Sequence, residues 1–499
     1  MMSTAIKKAE YTPAMPTSRE LSSSSATGRG RRDGRPHLIY LAIGFPPAAK
    51  SCAYRMRETA NQFRRIGWDV TVVTIASTSW ERDSGVDYSL LEQVDPGITV
   101  LELPLAREDL ETDIRMFSEE RALRPAKWVT DLRKREKRVF PEPVFGGWRD
   151  TIEEAVLGLH RQHPADLLLA SCVPYVNLAA AWRLWETHRV PYAVDFRDGW
   201  SIDVVNGGVA FTEESEPGVW ERRILDECQA LWVVNDPIAE HYQDRYPHIA
   251  ERVHVVRNGY DADSVTTVQP RRPDPEAGLV FGYLGTVNYN ARQLGAVITA
   301  WRKARELEPL MRNARLEIRG HIGAGAAREA NGLTELISTA AADGVSFGGP
   351  VLKAEVAETY ANWDALVLIL IGGRYVTSGK VYEYMATGLP IVSVHEIDHD
   401  ASRVLDGHPL WTGACGLDEE GLIDSFRSAA RMTIEATEAE RAGVRAHAAP
   451  FTRETLMRQA VEQLAEGIVR GGADSTGVVS PPPRPRMTDE SRQAGEVRA

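Results

Sequence analysis

Residues 375–394, YVTSGKVYEYMATGLPIVSV, gather the side chains best suited to holding a ligand. The small residues Thr377, Ser378 and Gly379 lead into a short helical stretch. It carries Lys380 and Glu383 near its start and stops at Gly388. The first N–H groups of a helix lack intrahelical acceptors and carry partial positive charge, so such a turn suits a phosphate. Lys380 adds a full charge, and the Glu383 carboxylate can accept hydrogen bonds from two hydroxyls. The apolar run Pro390–Val394 reads as a buried strand, which places the set at the mouth of an α/β sheet. The implied ligand carries both a phosphate and vicinal hydroxyls.

Between polar ends the chain alternates apolar strands with amphipathic helices, the pattern of a parallel sheet. His37–Gly44 reads as a strand. Ser51 can cap a helix whose buried face is Cys52, Met56, Thr59, Ala60, Phe63 and Ile66, with Arg57, Glu58, Asn61, Arg64 and Arg65 outside. Gly67 ends it and Val70–Ile75 is the next strand. Further strands are expected at Ile98–Leu103, Asp166–Ala170, Tyr192–Phe196, Leu231–Val234 and Val253–Val256. After the Pro-rich stretch Ser264–Gly278 the alternation restarts at Leu279–Leu284, Leu316–Arg319, Val345–Phe347, Ala365–Leu370 and Pro390–Val394, and a helix near Thr452–Val469 closes the fold. The expected organisation is therefore a disordered tail over 1–35, a Rossmann-like domain over 36–263, a linker over 264–278, a second Rossmann-like domain with the terminal helix over 279–470, and a second disordered tail over 471–499. The two doubly wound parallel sheets face each other across a cleft, with ligands at the carboxyl ends of strands.

The bulk composition narrows the classes. With 499 residues the chain exceeds one core. A formal charge of -12 argues against a general nucleic-acid binder. Cys52, Cys172, Cys228 and Cys415 lack metal-ligand spacing and read as buried apolar residues of a reducing compartment. No signal-peptide pattern and no span of membrane length is visible, so a cytoplasmic protein is expected.

Several motifs in order resemble the GT-B glycosyltransferases, specifically the large retaining group called family 4. They are Phe45-Pro46-Pro47 with Tyr54-Arg55, Gly67 to Thr74, Val190 to Trp200, and Val256-Arg257-Asn258-Gly259-Tyr260-Asp261. In the second half they are Gly282 to Thr286, Leu316 to Gly320, and the Glu383 segment. The resemblance covers nearly everything between the tails. It implies a nucleotide-diphosphate sugar as co-substrate, held mainly by the second domain, with no further cofactor and no metal. The acceptor is a glycan, a lipid-linked or a small molecule.

The resemblance also implies roles. Glu383 would take the ribose diol. Arg292 and Lys380, with the turn at Thr377, Ser378 and Gly379, would meet the diphosphate. Gly44, Gly285, Thr286, Arg319, Gly320, Phe347 and Tyr375 would complete the donor site; Tyr375 stands where the family places a second acid, eight positions before Glu383. On the acceptor side the candidates are Lys50, Tyr54, Arg55 and Trp200. Asp198 could orient the acceptor hydroxyl or act as base, or it could simply cap a turn, as could Asp195. Where many relatives carry a catalytic-site His, this chain has Ser171, Cys172 and Pro174.

Two other patterns compete. His395 to His399 spells H-E-x-x-H, but zincin chemistry needs both imidazoles on one helix face, and these residues directly follow a strand. The basic run Lys127–Arg138, which includes Trp128, could contact an anionic inner membrane face or form a solvated helix face. Rival readings are a sugar-nucleotide epimerase or hydrolase, which shares this fold, and a catalytically silent binding scaffold.

Overall fold

The computed structural model describes residues 34–204, 206–265, 271–287, 291–322, 332–352 and 355–474. The expected tails lie almost wholly outside these residues, as do residues 266–270 of the expected linker.

The first half forms β1 (His37–Leu41), β2 (Asp69–Ile75), β3 (Thr99–Leu103), β4 (Leu167–Cys172) and β5 (Tyr192–Phe196). A small antiparallel pair comes next, β6 (Ile202–Asp203) with β7 (Gly208–Val209), and then β8 (Leu231–Val233) and β9 (Val253–Val255). Seven of these make one parallel sheet in the order β3-β2-β1-β4-β5-β8-β9. The second half forms β10 (Val280–Leu284), β11 (Arg315–Arg319), β12 (Val345–Gly349), β13 (Ala365–Ile369), β14 (Ile391–Val394) and β15 (Trp411–Ala414). They make a six-stranded parallel sheet in the order β12-β11-β10-β13-β14-β15.

Both sheets are covered by helices on both faces, which is why β1, β4, β5 and β13 are buried at every position and read as unbroken apolar runs. In each sheet the strand order reverses at the centre, between β1 and β4 and between β10 and β13. The fold is thus two Rossmann-like domains of the GT-B arrangement. The expected strands all form within a few residues of their expected ends. β15 and the β6–β7 pair have no counterpart among the expected strands; both are short, and neither shows an apolar alternation.

The first helix, Ser51–Arg65, departs from its expected pattern. Arg57, Glu58 and Asn61, expected on its solvent face, are buried. Two segments cover it: the helix Arg453–Asp474 crosses back and packs on it, and the chain at Gln93 and Asp95 bonds Arg57 and Asn61. Met457, Ala460, Val461, Leu464 and Ala465 join Leu38, Tyr40, Phe45, Met56 and Phe63 in one core. The terminal helix therefore belongs to the first domain's core, not to the second domain. The buried polar side chains find partners on other segments: Asn61 Nδ2 donates to Gln93 O (2.8 Å), and Arg57 pairs with Asp261 (3.2 Å).

The two passages of chain between domains run side by side. Tyr260 N donates to Phe451 O (3.1 Å) and Arg453 N to Tyr260 O (2.8 Å). Gly259, at φ 62°, sits where a Cβ would stand 2.7 Å from Phe451 O. Only glycine tolerates both the left-handed backbone and that approach.

Candidate active site

A cavity of about 510 Å³ opens between the sheets. The first domain contributes Ser51, Cys52, Tyr54 and Arg55 from the first helix, Arg197 and Asp198 after β5, and Asn258. The second contributes Gly285 and Thr286 after β10, Ile369 to Ile371 at the end of β13, and Val376 to Lys380 with Glu383. The returning helix adds Arg453. Most of these residues sit at strand carboxyl ends or on the loops and helices that come directly after them, as the open-sheet rule requires.

The second-domain wall is built by the 377–383 segment. Ser378 Oγ accepts from Lys380 N (3.3 Å) and starts the helix Gly379–Ala386. Lys380 reaches back over Gly285, where a Cβ would overlap Lys380 Cε and Nζ, and its Nζ lies 2.9 Å from Tyr283 Oη. Gly285 has φ 148°, and a Cβ on Gly320 would overlap Gly285 O. The two glycines let the ends of β10 and β11 close up beneath the lysine. Tyr360 donates from Oη to Glu383 Oε2 (3.2 Å). Tyr54 faces the same carboxylate from the first domain: burial, then the Glu383 charge, push its phenol up to about 12.

The phosphate-type turn is tied to the first domain. Asn235 caps the helix Asp236–Arg245 by accepting from Ile238 N (2.9 Å). Its Nδ2 crosses the seam to Tyr375 O (3.1 Å) and Thr377 Oγ1 (2.8 Å). Thr377 Oγ1 donates to the buried Asp400 Oδ2 (2.8 Å), whose Oδ1 takes Arg257 Nη1 (3.2 Å). Burial raises the Asp400 pKa; Arg257 and the Thr377 hydroxyl oppose the rise.

Other expected site residues fall elsewhere. Arg292 is exposed at the start of the helix Ala291–Leu307 and does not line the cavity. Tyr375 packs at the seam, edge-on to His241 at 6.3 Å and under Arg374 at 5.3 Å, so its ring is spent on the domain contact. Arg319 pairs with Glu317 (3.0 Å) and Gly349 O (3.2 Å), while Phe347 is exposed on the edge strand β12. Gly44 lies behind the wall, where a Cβ would stand 2.5 Å from Cys52 Sγ.

On the acceptor side, Lys50 pairs with Asp83 (2.8 Å) and lies over the Trp80 ring (4.5 Å). Trp200 is buried, stacked on Tyr175 (5.0 Å) and Phe140 (5.5 Å). Arg55 borders the cavity, but its guanidinium is consumed by Asp195 (2.7 and 3.1 Å) and Val256 O (2.7 Å). Asp195 is the partner of that pair, and Asp198 is the carboxylate left facing the cavity.

Arg197, Asn258, Arg453 and Asn235 have no role assigned from the sequence. Arg197 and Asn258 lie inside motifs that carry the family resemblance. Arg453 gives no sequence signal, because its place depends on the terminal helix crossing domains.

The H-E-x-x-H residues lie past β14, and His399 caps the helix Asp400–Leu405 by accepting from Ala401 N (3.0 Å). The helix that zincin geometry needs does not form there. Among the described residues no cluster of three or more metal-type ligands occurs. In the basic run, Lys127 pairs with Glu120 and Asp131, Arg133 with Asp109 and Glu136, and Arg135 with Glu108. Trp128 is buried beneath Arg121 rather than offered to a surface. No helix among the described residues is long and apolar enough to cross a membrane.

The paired sheets with a cavity at their carboxyl ends have the GT-B fold, and each half of the chain matches a glycosyltransferase family model. The glycosyl transferase 4-like domain family matches residues 52–259, and the glycosyl transferases group 1 family matches residues 278–424. No curated protein is similar enough in sequence to match. Solved structures that share the fold include the following three. A glycosyltransferase from Rickettsia africae is 11% identical at a TM-score of 0.59, over 87% of this chain and 99% of its own. HepE from Anabaena, solved with UDP and glucose, is 15% identical at 0.55, over 86% and 99%. Sucrose-phosphate synthase from Thermosynechococcus elongatus is 15% identical at 0.52, over 88% and 98%.

Proposed function

We propose that the protein is a retaining hexosyltransferase that moves a sugar from a nucleotide-diphosphate donor to an acceptor hydroxyl. The observation that carries the reading is the convergence of a Ser378-capped helix start, Lys380 and Glu383 on one cavity wall. The helix N–H groups and Lys380 meet the diphosphate, and Glu383 accepts from the ribose diol. In the transfer, the anomeric carbon–oxygen bond to the β-phosphate breaks and a bond from the acceptor oxygen forms. The acceptor proton leaves with the departing phosphate. Charge grows on that phosphate in the transition state, where a fixed cation is most useful; Lys380 fills the role that Arg292 was expected to share. Asp198, on the opposite wall, orients the acceptor hydroxyl. This chemistry draws its charge from the protein and uses no metal ion.

The test is calorimetry with UDP-, GDP- and dTDP-sugars, chosen by a thermal-shift panel. Glu383→Ala removes two charge-assisted hydrogen bonds and should weaken the productive donor roughly 100-fold. Wild-type affinity in that variant overturns the assignment of the donor wall.

A further inference from the structure

Arg55, Arg197, Lys380 and Arg453 are the cations that border the cavity. Arg55 is neutralised by Asp195. Arg453 pairs with Asp261, a carboxylate it shares with Arg57, and its remaining N–H groups donate to Asn258 O (3.1 Å) and Gly259 O (3.0 Å). Lys380 belongs to the donor wall. Arg197 differs. It makes one long hydrogen bond, Nη2 to Val173 O at 3.3 Å, and no ion pair among the described residues. Its Nε is shielded from solvent and has no hydrogen-bond partner. Asp198 borders the same space without forming an ion pair with it.

The loop that carries Arg197 is held in place before any ligand arrives. Arg197 N donates to Cys172 O (3.3 Å), and Tyr175 Oη donates to Asp198 O (3.0 Å). Tyr175 is itself stacked on Trp200 at 5.0 Å, and a Cβ at Gly199 would stand 2.5 Å from Ile202 Cδ1. Asp198 and Asp195 lie close enough to favour the Arg197 charge, but neither forms an ion pair with it, so a pre-positioned guanidinium with its Nε shielded and unbonded keeps its fork open to an anion. The planar guanidinium fork matches a phosphate or carboxylate in particular.

We propose that Arg197 receives an anionic group, phosphate or carboxylate, carried by the acceptor, so that the acceptor class is a phosphorylated or acidic hydroxyl compound. The proposal rests on the glycosyl-transfer reading for the word acceptor, but not for the anion site itself. Arg197 stands on the β5 side of the cavity, whereas the donor turn and Lys380 stand on the other sheet. Asp198 beside it offers an acceptor for the hydroxyl of the same molecule.

The experiment uses the full chain saturated with the nucleoside diphosphate that the thermal-shift panel selects, which fills the donor wall. Inorganic phosphate, glucuronate and neutral glucose are then titrated by calorimetry. Phosphate or glucuronate should bind with the nucleotide in place and glucose should not. Arg197→Gln should weaken the anion by about tenfold or more, Arg197→Lys should lie between, and nucleotide affinity should stay within about threefold. Equal anion binding in wild type and Arg197→Gln, or no anion binding to wild type, overturns the proposal. A loss of nucleotide affinity of about tenfold in Arg197→Gln also overturns it, by placing Arg197 on the donor diphosphate. Should no nucleotide bind, the transfer reading falls, while the same titrations on the unliganded protein still decide the anion site. Arg197→Lys keeps the charge and provides the readout if Arg197→Gln does not fold.

Discussion

Asn235 offers a test of how the donor turn is held. Its Oδ1 caps its own helix, and its Nδ2 donates across the seam to Tyr375 O and Thr377 Oγ1. Asn235→Asp separates the two functions. Aspartate is as good an N-cap as asparagine, so the cap, worth about 1 kcal/mol, survives. The two cross-domain bonds cannot form, a loss of about 1 kcal/mol each. The new carboxylate would also face the Tyr375 carbonyl in a buried site near Asp400, adding at least about 1 kcal/mol more. The sum is about 3 kcal/mol, set against a closed seam and an ordered Thr377 turn. If half of it appears in ligand binding, donor affinity falls about tenfold. Asn235→Ala loses the cap as well but adds no charge, so donor affinity should rank wild type, then Ala, then Asp. Calorimetry with the nucleotide donor and thermal melts of each variant supply the readout. A double-mutant cycle of Asn235→Ala with Thr377→Val should show a coupling of about 0.5–3 kcal/mol, since the two side chains share one bond. Donor affinity for Asn235→Asp within about twofold of wild type would refute the coupling between seam and turn.

Contacts elsewhere in the fold set three further outcomes. Gly285→Ala should displace Lys380 and strain the backbone at φ 148°, lowering donor affinity more than melting temperature in calorimetry and thermal melts. Arg55→Met leaves Asp195 buried without its counter-charge and should cost about 3–5 kcal/mol in urea unfolding, whereas an acceptor-binding role would chiefly raise an acceptor KM. His408 is buried with Nε2 toward Met385 O (3.1 Å) and Nδ1 accepting from Leu410 N (3.2 Å), and burial lowers its pKa from 6.5 to about 4. Between those values the unfolded chain holds a proton that the folded protein refuses. The stabilisation is therefore complete above pH 6.5 and is lost as pH falls to about 4. His408→Gln should remove on the order of 3 kcal/mol of the acid destabilisation seen by denaturant titration across that window.

What could be read in the sequence divides along physical lines. The strands were legible because a doubly covered parallel sheet writes itself as short apolar runs, as in Leu167–Ala170 and Ala365–Ile369. That Ser378, Lys380 and Glu383 share one cavity wall was legible because they are neighbours on one short helix, where spacing alone sets their geometry. Arg57, Glu58 and Asn61 were misplaced because polar residues on a helix signal solvent unless a later segment covers them. One covering segment begins at Arg453, some 400 residues on, and the partners of Arg57 and Asn61, among them Gln93 and Asp261, come from other distant segments that no local pattern announces. Tyr375 and Arg292 were misplaced for a related reason: counting from Glu383 or Gly285 fixes a position along the chain, not the direction in which a side chain leaves it. Tyr375 is turned into the seam by His241 and Arg374, and Arg292 lies outside the cavity.

The same division bears on specificity. The wall assigned to the donor comes mostly from one continuous stretch, 376–383, whose parts fix one another through a cap and a helical turn. The opposite wall is assembled from the first helix, the β5 loop, Asn258 and the returning Arg453, so its charge pattern exists only after folding. Within it, Asp195 and Asp261 hold Arg55 and Arg453 in ion pairs, and the cation and carboxylate left without an ion pair among the described residues are the adjacent Arg197 and Asp198. That subtraction cannot be made on the sequence, where nothing local tells which of the three arginines has an ion-pair partner. It is also why, on the reading proposed above, this wall is the place to seek the difference between this protein and others of the same fold: the paired charges fix the wall itself, and the unpaired two are those that a substrate would meet.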